Sequence, residues 1–197
     1  MRVVGIAVIS LDGSLTRPGE DGVSFSSPED QAHFRAALRG AGAAIMGRRT
    51  FEAEQEHMLS SLQADAQPTA PVPGAASSRR RPLERIVMTR NPARYASLVH
   101  PGRLEFSDES AAAILRRLEA RGHETVLILG GTAVFERFVH DRLITEWQLT
   151  VEPRILGSAT RLVATPADQE LELVEHRLLN SSTVLLRYRV VKNQQGA

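Results

Sequence analysis

Hydrophobic and polar positions change their period several times along the chain, and each change marks an element. Val3–Ile9, Ala43–Met46, Arg85–Thr89, Leu104–Phe106 and Thr125–Leu129 are short, mostly apolar runs. Runs of that length bounded by turn residues read as strands buried on both faces. Between them, Phe34, Ala37, Leu38 and Ala41 recur at helical spacing, as do Ala111, Ile114, Leu115 and Leu118, and the pairs Val134/Phe138 and Phe135/Val139. Residues three and four apart share one helix face. After Val139 the rhythm turns to alternation. Trp147, Leu149 and Val151 alternate with Gln148, Thr150 and Glu152, the pattern of a half-exposed strand. Leu171–Leu179 and Val184–Val191 read as an antiparallel pair turned by Asn180-Ser181-Ser182. Strand–helix alternation followed by strand–strand pairing predicts an α/β fold, with a mostly parallel central sheet and an antiparallel C-terminal edge.

Local signals sharpen the boundaries. Ser27 can cap a helix whose first turn holds Pro28, Glu29 and Asp30. Asp30 lies four residues before Phe34 and so falls on the apolar face; it is either a functional carboxylate or an acid satisfying the helix N-terminus. Gly40-Ala41-Gly42 ends that helix and is no dinucleotide fingerprint, because Ile45 stands where the third glycine belongs and the strand follows the glycines. Ser107-Asp108-Glu109 starts the helix that Gly122 ends. Ser10–Ser27 is a long polar loop. Ser60–Pro82 carries four prolines and only Leu62 and Val72 as large aliphatics, so it reads as a flexible insertion unable to build a core.

Composition narrows the function classes. A chain of 197 residues is enough for a single domain, 1–197, with a real core. A net charge of +1 favours neither nucleic acid nor an anionic membrane, and the Arg79-Arg80-Arg81 triplet reads as a solvated flank. Cysteine is absent, which excludes disulfides and thiolate metal sites and suits a cytoplasmic protein. Val3–Ile9 is too short for a leader and reads as the first strand; no run approaches a membrane span. The six histidines show no ligand spacing, so no metal is expected.

Two stretches could hold an anion. Leu127-Ile128-Leu129-Gly130-Gly131-Thr132-Ala133 is strand, Gly-Gly, then helix; it exposes backbone N–H groups at a positive helix end, and is equally an ordinary tight turn. Gly47-Arg48-Arg49-Thr50 follows the second strand in the same way, and is otherwise a solvated basic turn.

The order of these segments resembles the dihydrofolate reductase superfamily, and within it the reductase domains of riboflavin biosynthesis (the RibD C-terminal domain family). Ile45–Glu52, Ile86-Val87-Met88-Thr89-Arg90-Asn91-Pro92 and Leu129–Phe135 look like that family's three cofactor motifs, and Asp141–Glu146 like the strand after them. Ser10-Leu11-Asp12-Gly13 and Pro153-Arg154-Ile155-Leu156-Gly157 are closer to the riboflavin-type members. The loop that carries a Pro-Trp pair in folate reductases offers Phe25 instead.

The resemblance implies a three-layer dihydrofolate-reductase-like fold and an NADPH-dependent reductase of a small heterocyclic or ribosylaminopyrimidine substrate. The alternatives are a true dihydrofolate reductase and a non-catalytic nucleotide binder of the same fold. It implies pyrophosphate contacts from the backbone N–H groups of Gly130, Gly131, Thr132 and Ala133, with a hydroxyl added by Thr50 at the other helix start. Arg48 and Arg90 would flank the adenosine 2′-phosphate, and Gly47, Arg49 and Thr89 are further cofactor-binding residues. Asp30 matches the substrate-side carboxylate, and Asp12, Gly13 and Phe25 the substrate-side loop. The resemblance also implies a cis Gly130–Gly131 peptide, and Gly131 is expected to hold a backbone conformation closed to other residues. The apolar C-terminal strands suggest a homodimer.

Overall fold

The computed structural model describes residues 1–64, 82–157 and 160–191. Its eight strands are β1 (Arg2–Ser10), β2 (Ala43–Gly47), β3 (Glu84–Met88), β4 (Leu104–Ser107), β5 (Thr125–Ile128), β6 (Glu146–Glu152), β7 (Leu171–Leu178) and β8 (Val184–Val190). They form one sheet in the order β4-β3-β2-β5-β1-β6-β8-β7. The first six run parallel; β8 is antiparallel to β6, and β7 to β8. The predicted sheet is therefore present, antiparallel edge included. Four helices cover it: α1 (Pro28–Gly40), α2 (Arg48–Ala64), α3 (Ala111–Ala120) and α4 (Thr132–His140), with a 3-10 segment at Pro92–Leu98.

Period-2 alternation sends neighbouring residues of each central strand to opposite faces. Val3, Ala43, Ile45, Ile86, Val126 and Ile128 pack with Ile114, Leu118, Phe135 and Phe138 of α3 and α4. On the other face Val4, Ile6, Ala44 and Leu127 meet Phe34, Ala37 and Leu38 of α1. Met46 and Val87 meet Phe51 and Leu62 of α2, with Tyr95 of the 3-10 segment. Two helices on each face make three layers, which is why the inner strands read as continuous apolar runs.

Three expectations are corrected by the structure. Ser107 ends β4, and the cap of α3 is Ser110, whose hydroxyl accepts from the Ala113 N–H at 3.3 Å. The polar face of β6 is not solvated: Thr150 and Glu152 are 2% and 3% exposed. With β1 and β8 on either side of it and the start of α1 lying against it, β6 has two covered faces. The expected insertion also begins too early, since α2 continues to Ala64 and Leu62 is 3% exposed in the cluster around Phe51. The rest of that segment, residues 65–81 with Val72 and the arginine triplet, lies outside the described residues. Leu62→Ala is therefore expected to cost about 2–3 kcal/mol, the lower part of the range for buried leucine truncation. Urea unfolding checks it; an unchanged midpoint would return Leu62 to the insertion.

Candidate functional site

The C-terminal ends of all six parallel strands lie along one edge of the sheet, and β5, although fifth in sequence, sits between β1 and β2. A reversal of strand order opens a crevice outside the strand ends, where ligands of open α/β sheets bind.

The loops after β2 and β5 are neighbours because those strands pair. The Leu129 N–H donates to the Ile45 carbonyl at 2.8 Å, and the Gly47 N–H to the Gly130 carbonyl at 2.7 Å. This stitching brings the first turns of α2 and α4 face to face. A Cβ on Gly131 would lie 3.4 Å from the Thr50 hydroxyl oxygen, and one on Gly47 would lie 3.1 Å from Val134 Cγ2. Gly131 is the N-cap of α4 and brings no side chain to its N–H groups; its carbonyl takes those of Val134 and Phe135 at 2.9 and 3.1 Å. Two positive helix ends thus meet across one glycine, beside Thr132 and Ala133. The Thr132 hydroxyl is already committed, donating to the Arg161 carbonyl at 2.6 Å.

The Gly130–Gly131 peptide is cis, as the resemblance implied. The expected special conformation, however, belongs to the other glycine. Gly131 has φ −68°, open to any residue, whereas Gly130 has φ +91°. A Cβ on Gly130 would fall 2.5 Å from the ring of Phe135. The turn is left-handed at Gly130 because the chain must pass over the ring of Phe135 before α4 begins.

Arginines stand at the strand ends on the β2–β3 side. Arg48 opens α2, with Arg49 exposed beside it. Arg90 is exposed one residue beyond Thr89, whose hydroxyl accepts from the Asn91 N–H at 3.3 Å. Arg48 and Glu52 form an ion pair at 2.5 Å.

Across β5 and β1 lies the start of α1. Asp30 is 7% exposed. Its N–H donates to the capping Ser27 hydroxyl at 3.2 Å, and its carboxylate accepts from the Ser26 hydroxyl at 2.6 Å. The carboxylate is thus held by a loop serine, and Ser27 does the capping. The buried Glu152 anchors this corner: its carboxylate accepts from the Ser27 N–H at 2.7 Å and the Thr183 hydroxyl at 2.9 Å. The sequence reading missed Glu152, because alternation placed it on a solvated face. No local signal identifies it.

The expected loop residues are assembled differently from one another. Asp12 accepts from the Ser10 and Ser14 hydroxyls at 2.5 and 3.0 Å and from the N–H groups of Leu156 and Gly157 at 3.1 and 2.9 Å. These donors, Ser10 first and the Leu156 N–H next, hold its carboxyl well below the usual carboxylate range. Asp12 ties Ser10–Leu15 to the segment after β6, and Gly13 closes the turn with its N–H on the Ser10 carbonyl at 2.9 Å. Phe25 is 3% exposed. At the opposite edge, where β3 begins, His123 meets Glu84 at 2.9 Å in a buried pair. Among the described residues no group of three or more His, Asp or Glu side chains could hold a metal ion, and no helix is long and apolar enough to cross a membrane.

This architecture is shared with solved structures. A riboflavin biosynthesis protein from Shewanella sp. PV-4 superposes with a TM-score of 0.66 at 16% identity, over 98% of this chain and 100% of that one. RibD from Acinetobacter baumannii gives 0.69 at 20% identity, over 97% of this chain and 58% of that one. Dihydrofolate reductase from Enterococcus faecalis, complexed with NADP(H), gives 0.63 at 16% identity over 97% of both chains. The fold is dihydrofolate-reductase-like. No curated protein sequence matches the chain. The sequence profile of the RibD C-terminal domain matches residues 3–185, and the chain belongs to that family. It is an oxidoreductase family of the riboflavin-pathway type.

Proposed function

We propose that this chain, folded as one domain, is an NADPH-dependent reductase of a small heterocycle or ribosylaminopyrimidine. The observation that carries the proposal is the meeting of two helix N-termini across Gly131, with Arg48 and Arg90 on the neighbouring strand ends. Backbone N–H groups of Gly131, Thr132 and Ala133 and the Thr50 hydroxyl suit a pyrophosphate. Arg48 and Arg90, with Arg49 and Thr89, suit the 2′-phosphate. The Enterococcus reductase of the same fold is complexed with NADP(H), which supports this choice of cofactor. Bound there, NADPH supplies the hydride.

Asp30 is the residue for the accompanying proton. It is buried at the start of α1, its carboxylate is oriented by Ser26, and it lies across β1 and β5 from the proposed phosphate cradle. A carboxyl in that position can hydrogen-bond a ring amide or amino group and pass a proton to the nitrogen whose double bond is reduced. This buried acid favours a catalyst over a plain nucleotide binder. A true folate reductase is the alternative substrate reading, which Phe25 in place of a tryptophan does not support. The deciding experiment measures NADPH oxidation with a panel of pterins and ribosylaminopyrimidines. Turnover is expected to fall at least about a hundredfold in Asp30→Asn, in the range for loss of a general acid, with NADPH affinity unchanged. Full activity of that variant would remove Asp30 from the mechanism.

We read β7 as a homodimer face. It is an edge strand whose Leu171, Leu173, Val174 and Leu178 are 38–63% exposed, and an exposed edge strand presents unpaired backbone groups that invite pairing. Sedimentation is expected to give twice the 21.6 kDa chain mass; a monomer at micromolar concentration would refute it.

A further inference from the structure

Among the arginines of the β2–β3 side stands an acid that the proposed function does not use. Glu52 lies one turn along α2 from Arg48, and its carboxylate is held from two sides. One oxygen accepts from Nη1 of Arg48 at 2.5 Å; the other accepts the Tyr95 hydroxyl at 2.5 Å. Surface pairs four residues apart on a helix are normally loose and contribute little. This one is tethered. Tyr95 is 5% exposed, its ring stacks on Phe106 with centroids 4.7 Å apart at 8°, and it meets Phe51 edge-on at 6.2 Å. The Arg94 guanidinium lies 5.7 Å from the same ring. A buried, immobile phenol therefore fixes the Glu52 carboxylate beside Arg48. The hydrogen bond to Glu52 also pushes the Tyr95 phenol up from its ordinary value, so the hydroxyl stays a donor.

We infer that Glu52 sets the cofactor preference of this site, by holding a fixed negative charge against Arg48 that weakens its grip on a phosphate monoester. The inference rests on the proposed cofactor reading. A 2′-phosphate carries roughly −1.5 to −2 charge and must compete with Glu52 for Arg48. NADH has no such group and does not meet the competition. Glu52→Gln keeps the side-chain shape and the acceptor for Tyr95, removes the charge and releases Arg48. Arg48, Glu52 and Tyr95 thus tune the 2′-phosphate end between NADPH and NADH, where Arg48 and Arg90 alone would select strongly.

The test is a titration of the full chain with NADPH and with NADH, for the parent, Glu52→Gln, Arg48→Ala and the double variant. In low salt, Glu52→Gln is expected to tighten NADPH about fivefold and to change NADH less than about twofold, a gain within the range of about 1 kcal/mol for releasing one partly exposed guanidinium from its ion pair. The gain should shrink near 0.5 M salt, where screening acts within roughly 4 Å. It should vanish in the Arg48→Ala background, since the effect runs through that guanidinium. Weaker NADPH binding in Glu52→Gln, no change, or an equal change for both cofactors would overturn the inference while leaving the cofactor reading intact. If the parent chain binds neither cofactor, the cofactor reading falls and the inference with it.

Discussion

Gly130→Ala is expected to destabilise the protein by about 3 kcal/mol, the sum of an overpacked core contact and an unfavourable backbone conformation. The new methyl would stand 2.5, 3.0 and 3.2 Å from three carbons of the Phe135 ring. That ring cannot retreat, because it is 1% exposed and packs against Trp147 with centroids 5.4 Å apart. The backbone at φ +91° offers no relief, since side-chain-bearing residues rarely adopt it. Thermal unfolding should fall by about 6–12 °C for a chain of this length. A loss below about 1 kcal/mol would mean that the β5–α4 turn relaxes freely. Gly131→Ala separates fold from site. At φ −68° an alanine is tolerated, and its methyl lies 3.4 Å from the Thr50 oxygen, so stability should hold. The methyl nevertheless fills the gap between the two helix starts. NADPH binding is expected to weaken at least about tenfold, equivalent to about 1.4 kcal/mol. Parent-like binding by this variant would move the phosphate cradle elsewhere.

The double variant Arg48→Ala/Arg90→Ala is expected to lose about a hundredfold in NADPH affinity, with NADH binding changed less than about twofold. A hydrogen bond to a charged group contributes about 1.5–3 kcal/mol. Two such bonds, screened at a solvent-facing site and weakened at Arg48 by Glu52, leave roughly 2.7 kcal/mol, or two powers of ten. Folding should be nearly unaffected: Arg90 is exposed, and the Arg48–Glu52 pair joins side chains that are 40% and 33% exposed. Fluorescence titration with both cofactors checks this. Equal dissociation constants for NADPH and NADH in the parent protein would refute the assignment of these arginines.

The sequence by itself determined the order of elements, because burial writes its period into the chain. Continuous apolar runs marked β1, β2, β3 and β5, and the stripes of α1, α3 and α4 appeared at their true spacing. The Gly-Gly turn between β5 and α4 was legible because the hydrophobic period changes from strand to helix across it. Only the tertiary structure decided which strands are neighbours, and hence that the turns after β2 and β5 are stitched through Gly47 and Gly130. It also decided that Gly130, and not Gly131, carries the positive φ, since that depends on where the Phe135 ring lies beneath the turn. Leu62 looked like part of a coreless insertion because nothing local records the cluster waiting around Phe51 and Tyr95. Glu152 looked solvated for the matching reason. Alternation reports one exposed face only when nothing covers the other, and the start of α1 with the Thr183 hydroxyl covers this one. The Tyr95–Glu52–Arg48 chain joins α2 to the segment after β3 and exists only once those pieces pack. Local periodicity records whether a residue is buried; which groups it meets there is set by contacts between segments distant in sequence, and no short-range pattern encodes them.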